Sequence, residues 1–365
     1  MIRLAAAAGL VLSACSSQAR PAASPSFSSR AGAPLPATAP RLLMIDGAHG
    51  WAVWPSADSW LLLHTTDGWK HVANRTPIAV PTGGGLVATA TANSVVVAVG
   101  AYQRLARSPL LTSTGKTSNW KAAELPGAVS DARDAVSSVA GRTSVVLDGA
   151  GGTVLSGNGN QWTRLVDASG LSPGGNLRLD GVTWADGRLG WLTGHGRAGT
   201  PVAFQTTDAG RTWVPLAMAT GGAVAALAPC GARQTWLLPV IADGRTVKVE
   251  RTTDGGRSWT SGAAVQLGSG SPAWGCRGDH VWLLGRSGHA EHVFASTDGG
   301  HSWVNAGAAP PGLTDLSPTG HGAGFATSIT SRGPKLWSVT GDGARFRLLA
   351  LPSWVATIGA HMGTS

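Results

Sequence analysis

Side chains able to catalyse hydrolysis are few in this chain. Glu124, Glu250 and Glu291 are its only glutamates, and Tyr102 is its only tyrosine. Hydrolysis of a glycosidic bond needs two carboxylates that face each other across a cleft. Most of the aspartates lie in turns, where hydrogen bonds to backbone amides account for them. The sequence therefore predicts no catalytic residues, no enzyme activity and no cofactor.

One short segment has the composition of a metal site, His289-Ala290-Glu291-His292. On a strand, successive side chains point to opposite faces. His289 and Glu291 would face one way and His292 the other, so the three do not converge on one ion. We expect a solvated loop edge here and no bound metal.

A pattern of eight residues, Thr-Thr-Asp-x-Gly-x-Thr/Ser-Trp, recurs along the chain. Full copies span 206–213, 252–259 and 296–303, and a shortened copy spans 65–69. Aspartate can accept hydrogen bonds from turn amides, glycine can take a positive φ, and tryptophan buries a large surface. We call these segments repeat turns. Their predicted structural residues are Asp67, Asp208, Asp254, Asp298, Trp69, Trp213, Trp259 and Trp303.

The repeat turns imply a count of structural units. Aromatic residues that close full or degenerate copies are roughly 40–50 residues apart, which suits a four-stranded propeller blade. They are Trp69, Trp120, Trp162, Trp213, Trp259, Trp303 and Phe346. An apolar strand precedes each copy, and no helical periodicity is present beyond the N-terminus. The sequence predicts an all-β, seven-bladed β-propeller over residues 41–360, followed by a tail, 361–365.

The repeat turns resemble the Asp-box, or BNR repeat, of sialidases and other β-propellers. In those proteins the box lies at the edge of a blade, usually away from the ligand. Sialidases also have an arginine triad, an Arg-Ile-Pro segment, a tyrosine nucleophile paired with glutamate, and an aspartate acid. No Arg-Ile-Pro occurs here, and Tyr102 is the one candidate nucleophile. Because the boxes are shared but these catalytic parts are mostly missing, an exported sialidase-like glycoside hydrolase is the alternative function and not the main prediction.

Seven Asp-box blades on an exported chain resemble more closely the photosystem II stability and assembly factors. That resemblance rests on the repeat period and the box pattern over roughly residues 41–360. It implies a non-catalytic scaffold with an arginine-rich face for an acidic or C-terminal protein segment. It does not imply a photosynthetic role.

The N-terminus has the features of an export signal. Arg3 is followed by an apolar run, and Leu12-Ser13-Ala14-Cys15 resembles a bacterial lipobox. That resemblance implies a signal peptide over 1–14, cleavage before Cys15, and lipidation of its thiol. Residues 15–40 are rich in Ser, Ala and Pro and predict a disordered tether. We expect an extracytoplasmic protein anchored to the bacterial envelope membrane through its lipid.

The remaining cysteines occupy matching places in consecutive blades. Cys230 lies six residues before Trp236, and Cys276 lies six before Trp282. Inner strands of neighbouring blades converge near the axis, so a Cys230–Cys276 disulfide is open to an exported protein. Two separate buried thiols are the alternative. The segment 354–358 predicts one extra strand that pairs with the first blade and closes the ring.

Arginines recur in the connections between the second and third strands of the blades. With a net charge of +9, they predict an anionic partner, either a protein segment or an envelope polymer. Nucleic acid is not expected, because these loops lack stacking aromatic residues. The candidate ligand-binding residues are Arg104, Arg107, Arg197, Arg245, Arg286 and Arg332.

Overall fold

Apolar runs separated by glycine-rich turns form antiparallel strands, each paired with its neighbours along the chain. The computed structural model describes residues 39–356, except for 57–58, 79, 82–84, 101–104, 115–118, 131, 133, 150, 173–174, 197–200, 217–222, 225–227, 231–235, 243–245, 255–256, 267–272 and 288. Within these residues the strands form seven sheets in sequence order, which confirms the seven-bladed β-propeller.

We call the strands of a blade A to D, from the centre of the ring outward. The strands of the first four blades are β1 (Arg41–Met44), β2 (Gly50–Pro55), β3 (Ser59–Thr65), β4 (Ala73–Asn74) and β5 (Val80–Pro81); β6 (Gly85–Ala90), β7 (Ser94–Gly100), β8 (Pro109–Thr114) and β9 (Trp120–Glu124); β10 (Val136–Val139), β11 (Arg142–Leu147), β12 (Thr153–Asn158) and β13 (Gln161–Asp167); β14 (Arg178–Trp184), β15 (Gly190–His195), β16 (Pro201–Thr206) and β17 (Val214–Pro215). In the first blade, β4 and β5 both pair with β3 as one interrupted strand D.

The last three blades follow the same order. Their strands are β18 (Ala223–Val224), β19 (Ala228–Pro229), β20 (Trp236–Ala242), β21 (Thr246–Thr252), β22 (Thr260–Ser261) and β23 (Val265–Gln266); β24 (Trp274–Arg277), β25 (His280–Ser287), β26 (Ala290–Ser296) and β27 (Val304–Ala308); β28 (Leu313–Gly320), β29 (Ala323–Thr330), β30 (Gly333–Thr340) and β31 (Arg345–Leu348). Two helical turns, α1 (Ala168–Leu171) and α2 (Ser353–Ala356), precede β14 and follow β31.

Strands B form the apolar layers between the blades. Trp51, Trp191 and Trp282 lie on strands B and are buried. Trp282 packs with Leu313 and other side chains of the seventh blade. These layers stack the blades around the axis. The resulting ring has two faces. The B–C face carries the connections between strands B and C. The repeat face carries the A–B connections and the repeat turns.

The first and last blades meet without exchanging a strand. The amide of Leu42 on β1 donates a hydrogen bond to Asp315 Oδ2 on β28 at 2.8 Å. Thr327 Oγ1 donates to the carbonyl oxygen of Pro40 at 3.0 Å. Phe325 of the last blade packs in one cluster with apolar side chains of the first blade. Polar and apolar contacts therefore both join the two ends of the ring.

The strand predicted at the C-terminal tail is wrong in its described part. Ser353–Ala356 forms the helical turn α2, and the amide of Val355 donates to the carbonyl of Pro352 at 2.9 Å. Val355 is buried in the apolar cluster that the first and last blades share. Both blades already contain strands A to D from their own segments, so closure does not require a strand from the tail. Residues 357–358 lie outside the described residues.

Candidate functional site

Both carboxylate oxygens of Asp208 are used inside its repeat turn. Oδ1 accepts hydrogen bonds from Thr206 Oγ1 at 2.8 Å and from the amide of Thr212 at 2.9 Å. Oδ2 accepts from Thr212 Oγ1 at 2.6 Å. The amide of Gly210 donates to Thr206 Oγ1 at 2.9 Å. Equivalent bonds surround Asp254 and Asp298.

These hydrogen bonds keep the turn aspartates ionised. The hydroxyl and amide of Thr212 lower the pKa of Asp208 to about 2. Ser258 holds the pKa of Asp254 well below its usual range in the same way. Burial raises the pKa of Asp298, but hydrogen bonds from its turn outweigh burial and lower it to about 2. An aspartate with so low a pKa carries no proton at neutral pH, so it is unsuited to general acid catalysis.

The repeat turns also pack against the preceding blade. A Cβ atom on Gly210 would lie 2.9 Å from Leu165 of the third blade, and one on Gly300 would lie 2.8 Å from Val249 of the fifth. Gly210 and Gly300 have φ values of 85° and 87°. Glycine is needed at these two places both for the left-handed backbone and for the close approach. The repeat turns thus join consecutive blades as well as strands C and D of one blade.

The first repeat turn is full-length, so our prediction of a shortened copy is wrong. Asp67 Oδ1 accepts the amide of His71 at 2.9 Å, and Thr65 Oγ1 accepts the amide of Trp69 at 2.8 Å. Trp69 therefore takes the place of the glycine, with a φ of 68°. Its side chain is buried, and Val72 occupies the position of the closing aromatic residue. No sequence rule places a tryptophan in the left-handed region, where a bulky residue is unusual.

Cys230 and Cys276 form a disulfide between the fifth and sixth blades. Their Cα atoms are 5.2 Å apart, within the range that a disulfide spans. Cys230 is buried, and Cys276 lies on β24 at the wall of the central cavity described below. The bridge joins neighbouring blades close to the axis.

Three of the candidate arginines lie in the described part of the chain, all on the B–C face. Arg107, Arg286 and Arg332 are exposed at the ends of blades two, six and seven. Arg107 Nη1 is 3.8 Å from Glu124 Oε2, but both side chains are mostly exposed, so the pair is weak. No described carboxylate pairs with the other two. The remaining candidates lie outside the described residues: Arg104, Arg197 and Arg245.

A groove of about 200 Å³ lies on the same face between the last and first blades. Trp54 and Pro55 of the first blade line it, together with the segment 348–351 of the last. Arg332 and Lys335 add two cations to this apolar lining. The groove offers an apolar side chain a place beside positive charge, a combination that the sequence analysis did not identify.

A central cavity of about 360 Å³ is lined mainly by strands A of six blades. Hydroxyl groups from Thr89, Ser137 and Thr183 contribute to its wall. Arg41 Nη2 lies 3.2 Å from Asp134 Oδ1, so an ion pair at the cavity wall joins the first and third blades. Both residues precede or begin a strand A, which places the pair at the B–C end of the cavity.

The residues considered for hydrolysis do not meet at this cavity. Glu250 is buried on β21, Glu124 is exposed beside Arg107, and Glu291 lies on β26. Asp134 is the one carboxylate in the described lining. Tyr102 lies outside the described residues.

Two further motifs do not form sites within the described residues. Residues 170–174 match Gly-x-Ser-x-Gly, but Ser172 follows a helical turn, whereas a nucleophile elbow connects a strand to a helix. His292 Nδ1 is 2.9 Å from Asn305 Oδ1, a contact that does not involve His289. No cluster of three metal-ligating side chains is found in the part of the chain described here. Nor does any helix within it reach the length and apolar character needed to cross a membrane.

No protein-family model matches the sequence, and no curated protein matches it. Among solved structures, one of two prolyl endopeptidases aligns with a TM-score of 0.60 and 10% identity, over 85% of this chain and 49% of the other. The GH74 xyloglucanase from Xanthomonas campestris aligns with a TM-score of 0.56 and 14% identity, over 86% and 54%. The chain thus spans about half the length of these two proteins.

A structure of YCF48 bound to D1 peptide is similar to this chain in length as well as in fold. It aligns with a TM-score of 0.55 and 19% identity, covering 84% of this chain and 95% of that one. At such identities, structural likeness shows the fold alone. The chain is a seven-bladed β-propeller whose structural neighbours include both enzymes and a peptide-binding protein.

Proposed function

We propose that this protein is an exported, lipid-anchored and non-catalytic propeller whose B–C face binds an acidic protein segment or an anionic envelope polymer. The observation that carries the proposal is the placement of Arg107, Arg286 and Arg332. They are exposed on one face, and Arg332 lines a groove on that face that adds Lys335 and apolar side chains. Exposed cations on one face attract and orient an anionic partner.

The likeness to YCF48 supports peptide binding as a use of a ring of this size. At 19% identity it gives no ground for transferring D1 itself to this chain. The partner chemistry is therefore taken from the groove, which suits a carboxylate next to an apolar side chain. A peptide with acidic residues and an apolar anchor meets both requirements.

A sialidase-like glycoside hydrolase is the alternative. It would need two carboxylates that face each other across a cleft. In the described lining of the central cavity, Asp134 is the one carboxylate, and it is engaged by Arg41. Hydrolysis of a fluorogenic glycoside would favour the hydrolase over the binding module if Tyr102→Phe or Asp134→Asn abolished it.

Charge reversal on the B–C face is expected to weaken binding. In an Arg107→Glu, Arg286→Glu, Arg332→Glu variant, affinity for an acidic peptide should fall on the order of tenfold to a hundredfold. Each exposed charge contributes up to about 1 kcal/mol, and reversal adds repulsion. Fluorescence anisotropy with a labelled peptide at low salt measures the loss, and added salt should reduce affinity of the native chain.

A matched control reverses three exposed arginines on the opposite face, Arg142, Arg188 and Arg277. This variant changes the net charge by the same amount. If the two triple variants lose affinity equally, binding reflects total charge, and the B–C face proposal is wrong. Thermal unfolding of both variants separates lost binding from lost folding.

Anchoring is tested at Cys15. The lipobox-like segment places the lipid on its thiol, so Cys15→Ser is expected to move the protein from the membrane to the soluble extracytoplasmic fraction. Single-chain lipid attachments are marginal and multiple acyl chains are stable, so the shift should be nearly complete. Cell fractionation and mass spectrometry of the N-terminal peptide measure it. Ser17→Ala, which keeps the cysteine and the disulfide, serves as the control, and a native chain without a lipid mass on Cys15 would contradict the proposal.

A further inference from the structure

A second cavity, of about 670 Å³, opens on the repeat face between the first and second blades. The A–B connection, the repeat turn and strand D of the first blade line most of it. The second blade contributes Thr91 and Ala92, which carry no charge. The cavity is thus remote from the B–C face and independent of the binding proposed there.

Basic side chains converge on this cavity. His64 on β3 lies opposite Trp51 on β2, and their rings are in contact, with centroids 4.1 Å apart and planes tilted by 36°. Burial lowers the pKa of His64 below its usual value, and the nearby charges of Arg75 and His49 lower it further. No described residue makes a hydrogen bond with a ring nitrogen of His64. No described carboxylate pairs with the partly buried guanidinium of Arg75.

The two nearby carboxylates are committed elsewhere. Asp46 Oδ1 accepts the amides of Ala48 and His49, each at 2.7 Å, and Asp46 Oδ2 contacts His49 Nδ1. The backbone amide of His49 holds the pKa of Asp46 at about 2. Asp67 makes the corresponding contacts with the amide and ring of His71. Both aspartates remain charged but serve their own turns, which leaves His64 and Arg75 without a counterion.

We propose that this cavity binds an oxyanion, either a phosphate or a carboxylate group, through the guanidinium of Arg75 and the protonated imidazole of His64. A guanidinium fork and an imidazolium N–H make short, charge-assisted hydrogen bonds to such groups. An anion between the two cations also relieves the repulsion that disfavours protonation of His64. The charged groups around the site are Asp46, His49, Asp67, His71 and Arg75.

The pH dependence follows from the proton that His64 must hold. Anion binding raises the pKa of His64, so affinity is greatest at acidic pH and is lost as the pH rises through that raised pKa. Between the pKa of free His64 and the higher pKa of the complex, each pH unit weakens binding about tenfold for one coupled proton.

The test uses inorganic sulfate as the probe, because its charge does not change near neutral pH. Titration calorimetry on the full chain is expected to show affinity about tenfold or more higher near pH 5.5 than near pH 7.5. Histidine NMR should show that sulfate raises the pKa of His64. Arg75→Gln and His64→Asn should each lose about tenfold or more in affinity, as expected for a desolvated charge-assisted bond.

Lys70→Gln is the matched control, because Lys70 is an exposed cation of the same turn that does not line the cavity. It should bind sulfate as the native chain does. Parallel titrations with inorganic phosphate and acetate distinguish a tetrahedral from a planar oxyanion as the preferred ligand. Affinity that is independent of pH, an unchanged pKa of His64, or equal binding by Arg75→Gln and Lys70→Gln would overturn the proposal.

Discussion

Removing the Cys230–Cys276 disulfide is expected to lower the free energy of unfolding by about 4 kcal/mol. The bridge joins residues separated by 46 positions. In the chain-entropy account, a crosslink stabilises by restricting the unfolded chain, and a loop of this length corresponds to that value. The bridge also joins the fifth and sixth blades near the axis, so its loss should weaken the contact between them.

Urea unfolding of a Cys230→Ala, Cys276→Ala variant measures this effect. The double variant and the protein that keeps the disulfide should both carry Cys15→Ser, so that no other thiol contributes. Dithiothreitol should lower the unfolding midpoint of the bridged protein and leave the double variant unchanged. Equal midpoints for the bridged and reduced proteins would show that the two sulfurs are not bonded in solution.

The number of blades was predictable because the repeat turns and strands B recur at one period. Gly190-Trp191 and Gly324-Phe325, for example, both begin or lie on a strand B. The repeat turns and the apolar strands B are both local features of the sequence. Local features of this kind decide where each strand and turn lies. Each blade repeats one local solution, so errors in one copy do not disturb the count.

Two local predictions failed for physical reasons. Trp69 occupies a left-handed position that sequence rules reserve for glycine, so the register of its turn was misplaced. The hydrogen bonds from the amide of His71 to Asp67 and from the amide of Trp69 to Thr65 reveal the register. The segment after Pro352 contains aromatic and β-branched residues, as strands do, but its buried residue, Val355, packs between the first and last blades from one helical turn. Such a composition does not distinguish a strand from a helical turn in so short a segment.

Candidate sites were less predictable than the fold, because they depend on contacts between distant segments. The shared face of Arg107, Arg286 and Arg332 could be predicted from blade position alone. The pairing of Arg41 with Asp134 joins different blades and has no local signal. His49, His64 and His71 are close in sequence, which could have marked the first blade, but the uncompensated Arg75 becomes visible only when its neighbours are placed.

The closure of the ring gives the second large effect. Asp315→Ala is expected to lower the free energy of unfolding by about 2–3 kcal/mol, because it removes a charged acceptor and leaves a buried amide unpaired. Asp315 is 2% exposed, and its Oδ2 accepts the amide of Leu42 at 2.8 Å. β1 pairs with β2 along one edge. The Leu42 amide is not used in that pairing, and the Asp315 carboxylate of the last blade supplies its acceptor.

Denaturant unfolding and hydrogen exchange together test this closure. Asp279→Ala is the control, because Asp279 Oδ1 also links consecutive blades, through Arg251 Nη2 at 2.6 Å, but at the surface. An exposed pair of that kind contributes at most about 1 kcal/mol. In Asp315→Ala, amides of β1 and β28 should exchange faster than those of β15, since the chain does not run directly between the first and last blades as it does between other neighbours. Equal losses in the two variants would mean that apolar packing of Phe325 and Val355, rather than the Leu42–Asp315 hydrogen bond, keeps the ring closed.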